Sequence, residues 1–451
     1  MTTEAQPAKL QRVLRVRDGL AVTVGIVIGA GILGTPGLIA GYLGDRTIIL
    51  GMWLFGGVVA GLSTLVLAEM AAALPQAGGK YVYARHAWGD TMGFVAGWSE
   101  ILVTRGFSGA SKAVLISAYG FRLATGGSAA PDGPWVGVVA LAVVLAYFTL
   151  HTRGLKASTT FQNVTTAIKV LIILAIAAVG IVGGTASGTG TAPLLSGEAT
   201  AGLLGYALAY QSISFAYYGW EDAAKMSEEV MDPGRALPKI LLGGAMAVMV
   251  LYLLMNVSFL AALTPAQMAG SDLVAADATA AVFGQAAGTV VVVASLLILI
   301  SSANVNFLGL PRVAYGLAQH GLAPKALGHV DKRGTPRNAL YMISAWIGLL
   351  ALTGSFELLI RFMMTVAITV DTMVLLGYFK LRASHPDLER PFRMPGHPVL
   401  PAITIVLYIA ILAILIWSQP QLAAGAGAML LAMFIAGAIT TRRKGGSVTT
   451  A

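Results

Sequence analysis

The segment from Gly29 to Gly34 has the residue types needed to bind an anion through the peptide backbone. It reads Gly29-Ala30-Gly31-Ile32-Leu33-Gly34 and matches the pattern G-x-G-x-x-G. A dinucleotide-binding loop would need a preceding strand and an acidic residue about 20 positions later, whereas this segment lies inside an apolar stretch from Leu20 to Leu43. Two interpretations stay open: close packing of helices through small residues, or an unwound stretch whose free N–H groups bind a carboxylate.

A second apolar stretch, from Leu203 to about Val230, is interrupted in a similar way. It reads Ser214-Phe215-Ala216-Tyr217-Tyr218-Gly219-Trp220 and then becomes polar. Lipid offers no water to satisfy freed backbone groups, so a broken helix is tolerated at membrane depth only where it is buried or lines a cavity. Two broken spans at corresponding positions in the two halves of a chain are typical of a transporter's binding site. The pair therefore favours a carrier.

Lys169 is the most informative charged residue. It lies in the apolar run Ala167-Ile168-Lys169-Val170-Leu171-Ile172, where a charge costs about 2.5–3.5 kcal/mol on insertion scales. One interpretation is a lysine near a helix end whose side chain extends toward water. The favoured one is an ammonium held inside the helix bundle, where a lysine can also release its proton.

Five other charged residues fall within or beside apolar stretches. Glu100 and Arg105 are predicted to form a structural pair rather than to contact a substrate. Glu69 is predicted to brace the end of the second apolar stretch. Asp371 has no obvious partner and is either a structural hydrogen-bond acceptor, which we favour, or a proton site. Lys112 has no interpretation from the sequence alone.

The composition predicts an all-α membrane protein. The 451 residues are 57% hydrophobic and 11% charged, against about 25% charged in a soluble domain. The chain has no cysteine, and its six histidines show no ligand spacing, so no metal or other cofactor is expected. Twelve apolar stretches approach the ~20 residues that a bilayer core requires; they centre near residues 31, 60, 107, 142, 172, 215, 251, 298, 345, 370, 408 and 431.

The net charge of +9 is explained by membrane topology rather than by nucleic-acid binding. Lys and Arg precede the first stretch and recur in alternate loops, including Lys80 and Arg85 after the second stretch, whereas 186–200 and 264–280 contain neither. Because positive residues stay on the cytoplasmic side, both termini are predicted to be cytoplasmic. The predicted organisation is an N-terminal tail over 1–17, a transmembrane domain over 18–441 and a C-terminal tail over 442–451.

Several mutually spaced motifs give the chain a resemblance to a known superfamily. Over roughly residues 12 to 405 it resembles the amino acid–polyamine–organocation transporters, and is closest in its motifs to the L-amino acid transporter branch. The first-helix Gly29-Ala30-Gly31-Ile32 is similar to the superfamily's Gly-Ser-Gly-Ile. The longer matching motifs are Leu74-Pro75-Gln76-Ala77-Gly78-Gly79-Lys80-Tyr81-Val82-Tyr83, Phe215-Ala216-Tyr217-Tyr218-Gly219-Trp220 and Glu389-Arg390-Pro391-Phe392-Arg393.

This resemblance implies a LeuT-like fold with a five-plus-five inverted repeat. The repeats would span about 18–185 and 200–382, with helices 1 and 6 broken and two extra helices at about 398–441. An amino acid's carboxylate would bind N–H groups around Ala30 and Gly31, its ammonium would bind carbonyls near Ala216, and Phe215 would act as a gate. The substrate-binding residues implied are Ile28, Gly29, Ala30, Gly31, Phe215, Ala216, Tyr218 and Gly219.

Two residues of the implied site bear on specificity and coupling. Tyr218 stands where the branch usually has Gly, which puts the size of the pocket in doubt. Lys169 matches the fifth-helix lysine of sodium-independent members, where an ammonium takes the place of a sodium ion. A sodium site at Ser301 and Ser302 would then be redundant.

The predicted function is sodium-independent secondary transport of neutral, small to medium L-amino acids by alternating access, either as an exchanger or coupled to protons. The protein would be a carrier rather than an enzyme, in lipid of a bacterial plasma membrane. We expect a monomer or homo-oligomer without a disulfide-linked heavy subunit. The alternatives are a proton-coupled polyamine or cationic amine transporter, which would want an acidic residue in the pocket, and a non-transporting amino acid sensor with the same fold.

Overall fold

The chain is built from helices of very different lengths. The computed structural model describes residues 14–76, 78–126, 133–152, 168–178, 201–225, 227, 230–330 and 336–448. Within these ranges, the only β-type pairing is an isolated bridge between Leu14 and Val230. An all-α architecture is therefore confirmed for the part of the chain that the structure describes.

The helices of the two halves are bounded as follows. The first half contains α1 (Val16–Val27), α2 (Ala30–Gly34), α3 (Pro36–Leu43), α4 (Arg46–Ala73), α5 (Lys80–Trp88), α6 (Asp90–Ser99), a π-helical turn (Glu100–Arg105), α7 (Gly106–Thr125), α8 (Trp135–Thr152) and α9 (Ile168–Ala178). The second half contains α10 (Leu203–Tyr217), α11 (Asp222–Lys225), α12 (Pro233–Ala262), α13 (Pro265–Ala269), α14 (Val274–Phe283), α15 (Gln285–Gln319), a 3-10 turn (Lys325–Gly328), α16 (Arg337–Ala351), α17 (Phe356–Ser384), α18 (Val399–Ser418) and α19 (Pro420–Val448).

Eight helical segments among the described residues are long and apolar enough to cross a membrane. The chain is therefore a multi-pass membrane protein. All twelve predicted centres fall on helices, but those near residues 107, 172, 215 and 345 lie outside the eight segments. Twelve spans and the inverted repeat accordingly stay predictions. The predicted end of the first repeat, near residue 185, lies outside the described residues, and α19 continues past the predicted end at 441.

The predicted break in the first apolar stretch is present. Helix α1 ends at Val27, the backbone at Ile28 and Gly29 is not helical, and α2 begins at Ala30. The break frees the carbonyl of Val27, which accepts a hydrogen bond of 3.0 Å from the Tyr252 hydroxyl of α12. A side chain from a neighbouring helix thus replaces the water that an apolar interior cannot supply.

The second predicted break is also present. Helix α10 ends at Tyr217, and Tyr218 is extended. The next residue, Gly219, has a φ of 115°, a conformation that side chains other than glycine rarely adopt. The chain then turns into the short helix α11, so the aromatic run before Gly219 ends inside the protein instead of continuing as one span.

Glu69 braces the end of α4, as the sequence predicted. Its side chain is 2% exposed, and its two oxygens accept hydrogen bonds of 2.8 and 2.7 Å from the Arg382 guanidinium of α17. The backbone N–H of Met394 donates a further bond of 2.7 Å, and Arg390 lies 3.5 Å away. One carboxylate therefore ties α4 to the end of α17 and to the segment that follows it.

We predict that Glu69→Gln lowers the stability of the protein by roughly 2–4 kcal/mol, because it leaves buried donors and two guanidinium groups without their anion. The measurement is the thermal unfolding midpoint of the purified protein in detergent. The matched control is Glu389→Gln, which changes an exposed carboxylate of the same region. Equal midpoints for the two variants would contradict the bracing role.

Candidate functional site

The two helix breaks touch each other. A methyl group added at Gly31 would lie well inside contact distance of the Ala216 Cα, and one added at Gly29 would overlap the Ser302 side chain of α15. The first break therefore requires glycine at both positions, because Ala216 of α10 and Ser302 of α15 leave no room for a side chain there. The interpretation of these glycines as sites of close packing is therefore confirmed, whereas anion binding at the same backbone stays a prediction.

A small cavity of about 30 Å³ lies beside the meeting point of the breaks. Four of the predicted substrate-binding residues line it: Ala30, Gly31, Phe215 and Tyr218. The other four are not among its lining residues and instead shape the breaks: Ile28, Gly29, Ala216 and Gly219. The remaining lining residues are Ile26, Val27, Thr104, Arg105, Ser108, Lys112, Ser302 and Met363.

Phe215 forms part of the cavity wall where α10 approaches α17. Its ring is buried and makes an edge-to-face contact with the ring of Phe356, with the centroids 5.8 Å apart. Phe356 is the first residue of α17. A gating role for Phe215 requires this contact to open, and it stays a prediction.

The π-helical turn places Arg105 at the cavity. Arg105 Nε lies 2.9 Å from Glu100 Oε1, which confirms the predicted pair, and its guanidinium also bonds the Asp222 carboxylate of α11. Thr104 donates a hydrogen bond of 2.8 Å to Glu100. Arg105 therefore has two structural partners and a place in the lining, whereas the sequence favoured the structural role alone.

Lys80 is buried at the centre of a second charged cluster. Its ammonium lies 2.6 Å from Asp371 Oδ1 and 3.0 Å from Glu221 Oε1, and it donates to the Tyr218 hydroxyl at 2.9 Å. The sequence placed Lys80 among the positive loop residues and left Asp371 without a partner. The placement of Lys80 in a loop was wrong, since it is 7% exposed and begins α5. The favoured role of Asp371 as a structural acceptor agrees with this ion pair, which joins α5 to α17.

Two further lysines are buried but have no carboxylate partner among the described residues. Lys112 of α7 is 9% exposed, and its ammonium donates to the backbone oxygen of Ser302 at 3.3 Å. Lys169 of α9 is 1% exposed, and its ammonium has no hydrogen-bond partner among the described residues. The interpretation of Lys169 as a lysine whose side chain extends toward water is therefore wrong. It is not one of the cavity's lining residues.

The sequence missed part of the lining because it could not assign helix faces. Thr104, Ser108, Lys112 and Met363 had no predicted contact with the substrate, and only the intramembrane charge of Lys112 was a signal. Within the described ranges, no group of three or more His, Asp or Glu side chains is arranged to hold a metal ion.

Broken helices that meet at a buried polar cavity, inside a bundle of apolar spans, define a membrane transporter. The chain belongs to the amino acid permease family, whose model matches residues 16–439. The resemblance to the amino acid–polyamine–organocation superfamily is thereby confirmed. The protein is a transmembrane amino acid transporter of this group, and the relatives found are transporters rather than enzymes.

Three relatives show how broad the similarity is. The mouse b(0,+)-type amino acid transporter 1 is 28% identical over 425 residues, which cover 93% of this chain and 85% of the relative. The serine/threonine exchanger SteT of Bacillus subtilis is 26% identical over 397 residues, covering 86% and 87%. The rabbit large neutral amino acids transporter small subunit 2 is 25% identical over 431 residues, covering 91% and 77%.

We predict that Gly31→Ala reduces transport by on the order of tenfold or more, since overpacking costs about 1–3 kcal/mol and the new methyl group would push the two breaks apart. Uptake by membrane vesicles, normalised to the amount of protein, measures this effect. Gly61→Ala in α4 is the control, because a methyl group there meets no atom within 4 Å. Transport that survives Gly31→Ala would show that the breaks do not need their close contact.

The Lys80 cluster predicts a non-additive pair of substitutions. Lys80→Met alone leaves Asp371 and Glu221 buried without their cation, so we expect a large loss of thermal stability and of uptake. Adding Asp371→Leu removes one of the stranded carboxylates, and the double variant should recover part of the midpoint lost by Lys80→Met. Strictly additive midpoint shifts would show that the two side chains are not coupled.

Proposed function

We propose that the protein is a sodium-independent secondary transporter of amino acids that works by alternating access. The observation that carries the proposal is the meeting of the two breaks at the cavity. The first N–H groups of α2, at Ala30 and Gly31, have no acceptor within that helix. The last carbonyls of α10 likewise have no α-helical donor within theirs. Donors that suit a carboxylate and acceptors that suit an ammonium would then both belong to the region where the two breaks meet.

Lys169 supports sodium independence. Its buried ammonium can supply, as a permanent part of the protein, the positive charge that a bound sodium ion would otherwise bring. Its side chain does not line the cavity, so the proposed role is electrostatic and involves no contact with the substrate.

Exchange is the mode of transport that we favour. The Bacillus relative is named as an exchanger of serine and threonine, and this name, with that of the large neutral amino acids transporter, also supports the prediction of neutral substrates. Proton coupling is the second mode, and the buried carboxylate of Asp371 or the ammonium of Lys169 would carry the proton.

The cavity wall does not favour a polyamine or cationic amine. The charged residues that line it are Arg105 and Lys112, which would repel a cation. The buried carboxylate of Asp371, which could otherwise attract such a substrate, is bound by Lys80. A sensor without transport finds no support among relatives that are named as transporters and exchangers.

We further propose that the protein acts in a bacterial plasma membrane with both termini in the cytoplasm, as a monomer or homo-oligomer. The rabbit relative is named as a small subunit and so belongs to a larger assembly. A disulfide to a partner subunit cannot form through this chain, because its 451 residues contain no cysteine.

The test is amino acid uptake into proteoliposomes without sodium. Uptake only into vesicles preloaded with unlabelled amino acid would establish an exchanger, whereas uptake into empty vesicles driven by an inward proton gradient would establish proton coupling. Lys169→Met should reduce either uptake by on the order of tenfold or more, while Lys239→Met, at an exposed position of α12, should not. Sodium-dependent uptake by the unaltered protein, or none at all, would overturn the proposal.

A further inference from the structure

Lys112 is the cavity residue that the proposed transport of an amino acid backbone does not explain. It lies on α7, two turns after Arg105, and is one of the residues that line the cavity. The ammonium has three N–H donors, and its hydrogen bond to the Ser302 carbonyl uses one of them. A lysine so placed has donors to offer to a ligand in the cavity.

Among the described residues, no carboxylate lies within ion-pair distance of the Lys112 ammonium, and its hydrogen bond to the neutral Ser302 carbonyl brings no opposite charge. Arg105 differs, because Glu100 and Asp222 both pair with it. A buried charge is stable only when it is paired and hydrogen-bonded. An anion bound in the cavity would provide the negative charge that the described residues do not place beside Lys112.

A second, independent feature of the same wall points to the same kind of ligand. The Ser302 hydroxyl is buried, with the residue 1% exposed, and it has no hydrogen-bond partner among the described residues. Ser302 lines the cavity, and its backbone carbonyl accepts the hydrogen bond from Lys112. Ser108 lines the cavity one helical turn before Lys112, on the same face of α7. Two serines and a lysine thus line the same cavity.

We propose that Lys112, Ser302 and Ser108 form a subsite for a carboxylate in the substrate's side chain. Carboxylates accept several hydrogen bonds at once and bind most strongly to charged donors. The inference rests on the proposed function, in which the backbone of α2 binds the α-carboxylate and leaves Lys112 for a second one. Within the substrates of the transporter, L-aspartate or L-glutamate would then bind more tightly than its neutral amide.

The experiment compares each acidic amino acid with its amide, which has nearly the same shape but no charge. Proteoliposomes are preloaded with unlabelled aspartate, asparagine, glutamate, glutamine or serine, and uptake of the same labelled amino acid is measured. We expect the half-saturating concentration of aspartate or glutamate to be at least about tenfold lower than that of its amide, as for a charged hydrogen bond. The shift of the thermal midpoint on adding each amino acid gives a second readout, in detergent.

Variants at the subsite test which residues produce this preference. Lys112→Met should abolish the preference for the acid over its amide while amide uptake persists, and Lys112→Arg should retain it. Lys239→Met at the exposed site on α12 is the matched control and should change neither. If Lys112→Met does not fold, Ser302→Ala, which removes one hydroxyl, should weaken binding of the acid several-fold more than binding of its amide.

Three outcomes would overturn the inference, and they separate it from the proposed function. Exchange of serine or the amides without exchange of the acids would leave amino acid transport intact and remove the side-chain subsite. Equal losses of acid and amide uptake in Lys112→Met would assign the lysine to the α-carboxylate or to packing. Absence of uptake for every amino acid would overturn the proposed function itself.

Discussion

Backbone polar groups that leave a helix inside an apolar bundle must find partners, because no water is there to take them. The first break shows how this protein meets that requirement. The Tyr252 hydroxyl of α12 donates to the carbonyl of Val27, and the Tyr119 hydroxyl of α7 donates to the carbonyl of Leu33 at 2.9 Å. Ala30 and Gly31, at the start of α2, line the cavity, where we propose that the substrate binds.

The same constraint governs the buried charges. The buried charges around the cavity are unevenly paired. The carboxylates gather around Lys80 and Arg105, whereas among the described residues neither Lys112 nor Lys169 has a carboxylate within ion-pair distance. The unpaired positive charge therefore lies on α7 and α9. A positive potential of this kind attracts anionic groups.

Local features could be predicted from the sequence, whereas contacts between distant residues could not. Gly29, Gly31 and Gly219 mark the breaks because glycine acts on its own segment of backbone. Lys80 and Asp371 could not be paired, since they are far apart in the chain and Lys80 follows a Gly-Gly turn that resembles the start of a loop. Whether Lys112 lines the cavity depends on which face of α7 meets it, and the packing of the neighbouring helices decides that.

Tyr218 connects the cavity to the Lys80 cluster. Its side chain lines the cavity, its hydroxyl accepts a hydrogen bond from Lys80 at 2.9 Å, and the Lys80 ammonium lies 4.6 Å from the centre of its ring. Any displacement of this ring by a substrate therefore changes the environment of the ion pair with Asp371 that joins α5 to α17. Alternating access requires that an occupied site stabilise one arrangement of helices over another. A glycine at this position, as the L-amino acid transporter branch usually has, would provide no such connection.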